Sequence, residues 1–128
     1  MLIAAIAAMF TAVCLGMWLS AIILIREEQP KKIPLIAMIH GAAGATAVAL
    51  LLLALQGPRR GVQTGAGGFG WTAFCMMALA LAGGVTILSF QLRRKGAPTL
   101  LIALHAMLGL GGAVMLSAWW ASPVSFGR

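Results

Sequence analysis

All of the charge in this chain of 128 residues sits in four places: Arg26 to Lys32, the pair Arg59 and Arg60, the triplet Arg93 to Lys95, and Arg128. The apolar stretches between these islands each exceed the roughly 20 residues that cross a bilayer. Inside hydrocarbon every backbone N–H and C=O must be satisfied within the protein, which leaves helices and closed barrels. The stretches are continuous, without the period-two alternation of a barrel strand. The pattern therefore predicts four transmembrane helices, at about 1–25, 33–55, 69–90 and 98–120. A water-soluble domain is excluded, because 9% of residues are charged and 62% are hydrophobic, whereas roughly a quarter are charged in soluble domains.

The first span competes with a signal peptide, but no Lys or Arg precedes it and its apolar run is longer than a signal core. It is expected to be a retained helix. Connections of about seven residues after the first and third spans force consecutive helices to be antiparallel neighbours. The expected fold is all-α, one transmembrane domain over 1–128 built as an up-down-up-down four-helix bundle. The middle connection, Gln56 to Gly70, holds Gly57, Gly61, Gly65, Gly67, Gly68 and Gly70 with Pro58. That composition predicts a flexible linker between two hairpins. Its glycines are not followed by Lys-Ser or Lys-Thr, so they form no phosphate loop.

Orientation follows from Lys and Arg in short loops. Arg26, Lys31, Lys32, Arg93, Arg94 and Lys95 lie in loops 26–32 and 91–97, against Arg59, Arg60 and Arg128 in the middle loop and C-terminus. Loops 26–32 and 91–97 are therefore expected in the cytoplasm and both termini outside, in the periplasm if the membrane is a bacterial inner membrane. Phe69, Trp71, Trp119 and Trp120 would then lie at the outer interface, where aromatic rings are enriched. The net charge of +7 is accounted for by this topology and by attraction to anionic headgroups. No basic stripe with interleaved aromatics is present, so nucleic acid is not an expected partner.

Cys14 and Cys75 stand singly, outside any two-residue metal or redox spacing, and the eight Met are dispersed. Neither set marks a site. The histidines do: there are two, His40 in the second span and His105 in the fourth, and an ionisable group inside a membrane is rare and usually functional. Counted from Lys32 and Lys95 they lie at depths of roughly 12 and 15 Å, nearly level if the two helices run the same way.

Both histidines begin a His-x-x-x-Gly segment, His40 to Gly44 and His105 to Gly109, followed by a small residue at Ala47 and Gly112. A shift of 65 residues also superposes Leu35 on Leu100 and Leu51 on Leu116, so the chain reads as two tandem helical hairpins. Residues at i+4 and i+7 share the histidine's face. Gly44, Ala47, Gly109 and Gly112 would thus clear a smooth patch beside each imidazole, as a flat macrocycle needs.

This layout resembles the small membrane-bound b-type cytochromes, in which one histidine from each of two helices of a four-helix bundle clamps a haem iron. The resemblance covers the helical layout and the two His-x-x-x-Gly segments. It implies one haem b, His40 and His105 as axial ligands, and Gly44, Gly109, Ala47 and Gly112 around the porphyrin. Lys31, Lys32, Arg93, Arg94 and Lys95 would be propionate or lipid-headgroup contacts. Many such families hold two haems on four histidines; this chain has histidines for one. Electrons would pass to or from quinone or a partner subunit.

A second reading makes the protein a non-catalytic integral subunit or assembly factor of a larger complex, or a homo-oligomer in the bilayer. Its histidines would then bond a hydroxyl (Thr46, Thr86, Ser89 or Ser117) or a backbone carbonyl, and its small residues would permit close helix packing. A third reading is a small transporter, although Glu27 and Glu28 lie in the first loop and no carboxylate lies within a span. No independent catalytic activity is expected, for no nucleophile has a base beside it.

Overall fold

The computed structural model describes residues 1–25, 33–93 and 95–124. Four helices make the fold: α1 (Leu2–Ile25), α2 (Ile33–Leu55), α3 (Phe69–Leu92) and α4 (Thr99–Ala121), with a single 3-10 turn, Ala66–Gly68, leading into α3. The expected spans match these bounds to within two residues. All four helices are long and apolar enough to cross a membrane, and no strand forms among the described residues. Helix starts follow local chemistry: Pro34 occupies the first turn of α2 and Pro98 caps α4 in an extended conformation. A missing N–H costs nothing at such positions.

Each helix packs against its neighbours in the chain, and α4 returns to α1, while the diagonal pairs α1 with α3 and α2 with α4 stay apart. The core joins Ala5 and Met9 of α1, Ala47 and Leu51 of α2, Ala73 and Met77 of α3, and Leu116 and Trp119 of α4. These come from the start of α1 and α3 and the end of α2 and α4. Consecutive helices are therefore antiparallel. Small residues let the backbones close up there: a Cβ on Gly112 would lie 2.6 Å from Cγ of Met77, and one on Gly70 would strike Leu55 and Trp119. Close approach of this kind is a main source of attraction between helices in lipid, where no hydrophobic gain separates helix from solvent.

The middle connection departs from the expected flexible linker. It folds over the packed end of the bundle, and Gly61 and Ala66 are buried. The Gly61 N–H donates to the Pro123 carbonyl at 3.1 Å, Arg60 and Val124 form an antiparallel bridge, and the Arg60 guanidinium donates to the carbonyls of Trp120 and Ser122 at 3.3 and 3.2 Å. The physical reason is the end of α4, whose last carbonyls have no partner within the helix. Gly61, at φ 68°, makes the turn; a Cβ there would sit 2.8 Å from that of Ala66.

Hydroxyls inside the spans turn back on their own helices. Thr46, Thr86, Ser89 and Ser117 donate to the carbonyls of Ala42, Ala82, Thr86 and Ala113, a local bond that satisfies the group without help from a neighbouring helix. None of the four is a partner for a histidine.

Candidate functional site

Helices α2 and α4 lie on a diagonal, yet their histidines reach across it. The rings of His40 and His105 have centroids 5.8 Å apart and planes inclined at 81°. The histidines stand seven and six residues from the starts of their helices, about 10 and 9 Å along the axis, so they are level as expected. Both are half-buried.

Each ring is held by the other helix of its own hairpin. Nδ1 of His40 lies 2.8 Å from the carbonyl oxygen of Ala12 in α1, and Nδ1 of His105 lies 2.7 Å from that of Ala80 in α3. A carbonyl only accepts, so Nδ1 carries the proton in both rings, and the neutral imidazole keeps its lone pair on Nε2. Neither ring makes a second hydrogen bond among the described residues.

Helix carbonyls are normally occupied by their own ladder and shielded by the side chain four residues on. Here that residue is glycine. A Cβ on Gly16 would lie 2.9 Å from Cε1 and 3.4 Å from Nδ1 of His40; on Gly84 the same distances to His105 would be 3.0 and 3.4 Å. Ala12 with Gly16, and Ala80 with Gly84, are thus paired cradles, each an Ala-x-x-x-Gly step that exposes a carbonyl and seats an imidazole edge.

The His-x-x-x-Gly repeat lies in the second helix of each hairpin and does not reveal the cradles, which lie in the first. The signal exists at a different offset. Ala5, Met9, Ala12 and Gly16 correspond to Ala73, Met77, Ala80 and Gly84 at a shift of 68, against 65 for His40 and His105. The difference of three residues is spread between Gly16 and His40, one in the end of α1, one in the first connection and one in the start of α2.

The small residues expected beside the histidines separate into two kinds. A Cβ on Gly44 or on Gly109 would meet nothing within 4 Å, so these glycines border open space and serve no helix contact. Ala47 is fully buried in the core, and Gly112 is closed off by Met77; both serve packing between helices. Of the basic residues, Arg93 and Lys95 are exposed at the histidine end, while Lys31, Lys32 and Arg94 lie outside the described residues. Cys14 and Cys75 are exposed on separate helices, and no group of three or more metal-ligating side chains occurs among the described residues.

The arrangement can do one thing chemically that isolated histidines cannot. It brings two imidazoles from different hairpins, each with its Nδ1 engaged by a backbone carbonyl and its Nε2 left without a protein partner among the described residues, to a centroid separation of 5.8 Å. Comparison of the chain with protein-family models, with curated proteins and with solved structures finds no match.

Proposed function

We propose that this protein is a membrane electron carrier, or the electron-carrying subunit of a larger complex, holding one haem b between His40 and His105. The observation that carries the reading is the pair of carbonyl-bound imidazoles meeting across the bundle. Two imidazoles bound end-on to one metal at about 2.1 Å each have centroids about 6.4 Å apart, and the observed 5.8 Å is within about 0.6 Å of that. Haem, when bound, supplies one-electron oxidation and reduction.

The residues of this chain do the rest. The Ala12 and Ala80 carbonyls hold each Nδ1–H, which fixes the ring orientation and makes Nε2 a better donor, as second-shell acceptors do for metal-bound histidine. Gly16 and Gly84 seat the rings, and Gly44 and Gly109 leave the space beside them open. Arg93 and Lys95, with Arg94 of the same island and Lys31 and Lys32 of the first, would provide cations for propionates. The positive-inside count puts this end in the cytoplasm and both termini in the periplasm of a bacterial inner membrane, with quinone or a partner membrane subunit as the redox partner.

Absorption spectroscopy of the protein purified in detergent from haem-replete cells tests this. A Soret band with sharp reduced α and β bands, lost in His40→Ala and in His105→Ala, is expected; a colourless full-length preparation overturns the reading.

A second reading is favoured by one observation: each histidine already has a carbonyl partner in its own hairpin. Under it the histidines fasten helices together, and the protein is a non-catalytic subunit or assembly factor. Colourless protein that co-purifies with a larger membrane complex would support it. Small transporters of this size that couple to protons use an embedded carboxylate, and the spans have none; uptake by proteoliposomes holding this protein alone would be needed to revive that reading.

A further inference from the structure

The end of the bundle away from the histidines contains a cavity of about 620 Å³ between the folded connection and the helix ends. Its size is in the range of ligand sites. Leu55, Val62, Trp71 and Trp119 give it apolar walls, and Arg59 and Arg60 stand among the lining residues. We propose that this cavity binds the oxyanion headgroup of an anionic membrane lipid, with the acyl chains descending into the bilayer past Trp71.

Charge supports an anion. Arg60 uses Nη1 to hold the end of α4, which leaves its other N–H groups, and Arg59 makes no hydrogen bond among the described residues. The acidic side chains of the chain number two, Glu27 and Glu28, and both follow the far end of α1. Both lie outside the described residues, and no acidic side chain occurs among the residues that line the cavity. The 3-10 turn leading into α3 also borders the cavity, and neither it nor α3 has a side-chain cap, so the positive end of the α3 dipole adds to the field.

Position supports a lipid over a soluble anion. The cavity lies where α2 and α4 end and α3 begins, at the level at which spans reach the headgroups. Trp71 is half exposed there, as interfacial aromatics are. The site is independent of the haem reading, since Leu55 is 15 residues from His40, about 22 Å along α2.

Tryptophan fluorescence in lipid nanodiscs tests it, in a Trp18→Phe, Trp120→Phe background that leaves Trp71 and Trp119 as reporters. Brominated phosphatidylglycerol should quench more strongly than brominated phosphatidylcholine at equal mole fraction. Arg59→Gln should reduce that preference about fivefold, and Arg59→Lys should restore most of it. Arg59 is exposed and holds no structural contact, so the variant keeps its fold; the unchanged helical circular dichroism checks this. Inorganic phosphate is added in a parallel arm. Lipid selectivity that phosphate does not displace assigns the site to a headgroup with its chains. Protection by phosphate alone, equal quenching by the two lipids, or a preference that survives Arg59→Gln overturns the proposal.

Discussion

The two ends of this bundle are held together differently. At the end where α1 begins, eight side chains from four helices interlock, and Ala5, Ala47, Leu51, Ala73 and Leu116 are all at 0% exposure. Beyond the level of Ala12 and Ala80, toward the histidine end, Leu19 is the one buried residue among those described. There the helices of each hairpin are joined by a hydrogen bond from an imidazole to a bare carbonyl. Tight packing needs paired large and small residues at every layer; a polar link needs one donor and one uncovered acceptor. A bundle that packs at one end and is pinned at the other can leave room beside the pins without losing its shape.

Six substitutions at five positions would break or sharpen this contrast. The largest loss belongs to the packed end: Leu116→Ala removes a fully buried side chain and should cost about 2–5 kcal/mol in a reversible detergent unfolding titration. A smaller cost would mean that the core does not carry the fold. Next comes the cradle. Gly16→Val or Gly84→Val drives a side chain into a ring that the backbone holds, with an expected cost of about 1–3 kcal/mol and loss of any haem spectrum; an unchanged spectrum would dismiss the cradle. His40→Phe keeps the ring volume and removes the link, so the same titration should fall by about 0.6–1.7 kcal/mol, the range for hydrogen bonds between membrane helices. A cost as large as that of Leu116→Ala would make the histidines the main fastening.

The smallest stability effect is expected at Gly109→Ala, where a Cβ meets nothing. Stability should stay level or rise by about 0.5–1 kcal/mol through helix propensity. A bulkier Gly109→Leu should still fold, and should lose haem if the open space is where the porphyrin lies. Retained haem in that variant would detach Gly109 from the site.

The fold was legible because hydrocarbon imposes one requirement over 20 or more residues at a time, and four uncharged runs state it plainly. The histidines were legible for the same reason, as polar groups where polarity is expensive. Their partners were not. A backbone carbonyl has no letter in the sequence, and the glycines that uncover it, Gly16 and Gly84, stand among 16 glycines at an offset that changes by three between Gly16 and His40. Ala47 and Gly112 share the histidine face by periodicity, but neighbouring helices fill that part of the face, which periodicity cannot show. The order of the middle connection was hidden too, because it rests on Arg60 reaching carbonyls 60 and 62 residues away.

The carbonyl links have a consequence for biogenesis. Both lie within a hairpin, α1 with α2 and α3 with α4, whereas the meeting of the rings lies between hairpins. A membrane protein of this kind forms its helices first and associates them afterwards. Each hairpin can therefore leave the insertion machinery with its imidazole already aimed, and the pair comes into being only when the two halves dock. Any group that needs both rings is captured as the last step of assembly, by a surface each half has prepared on its own.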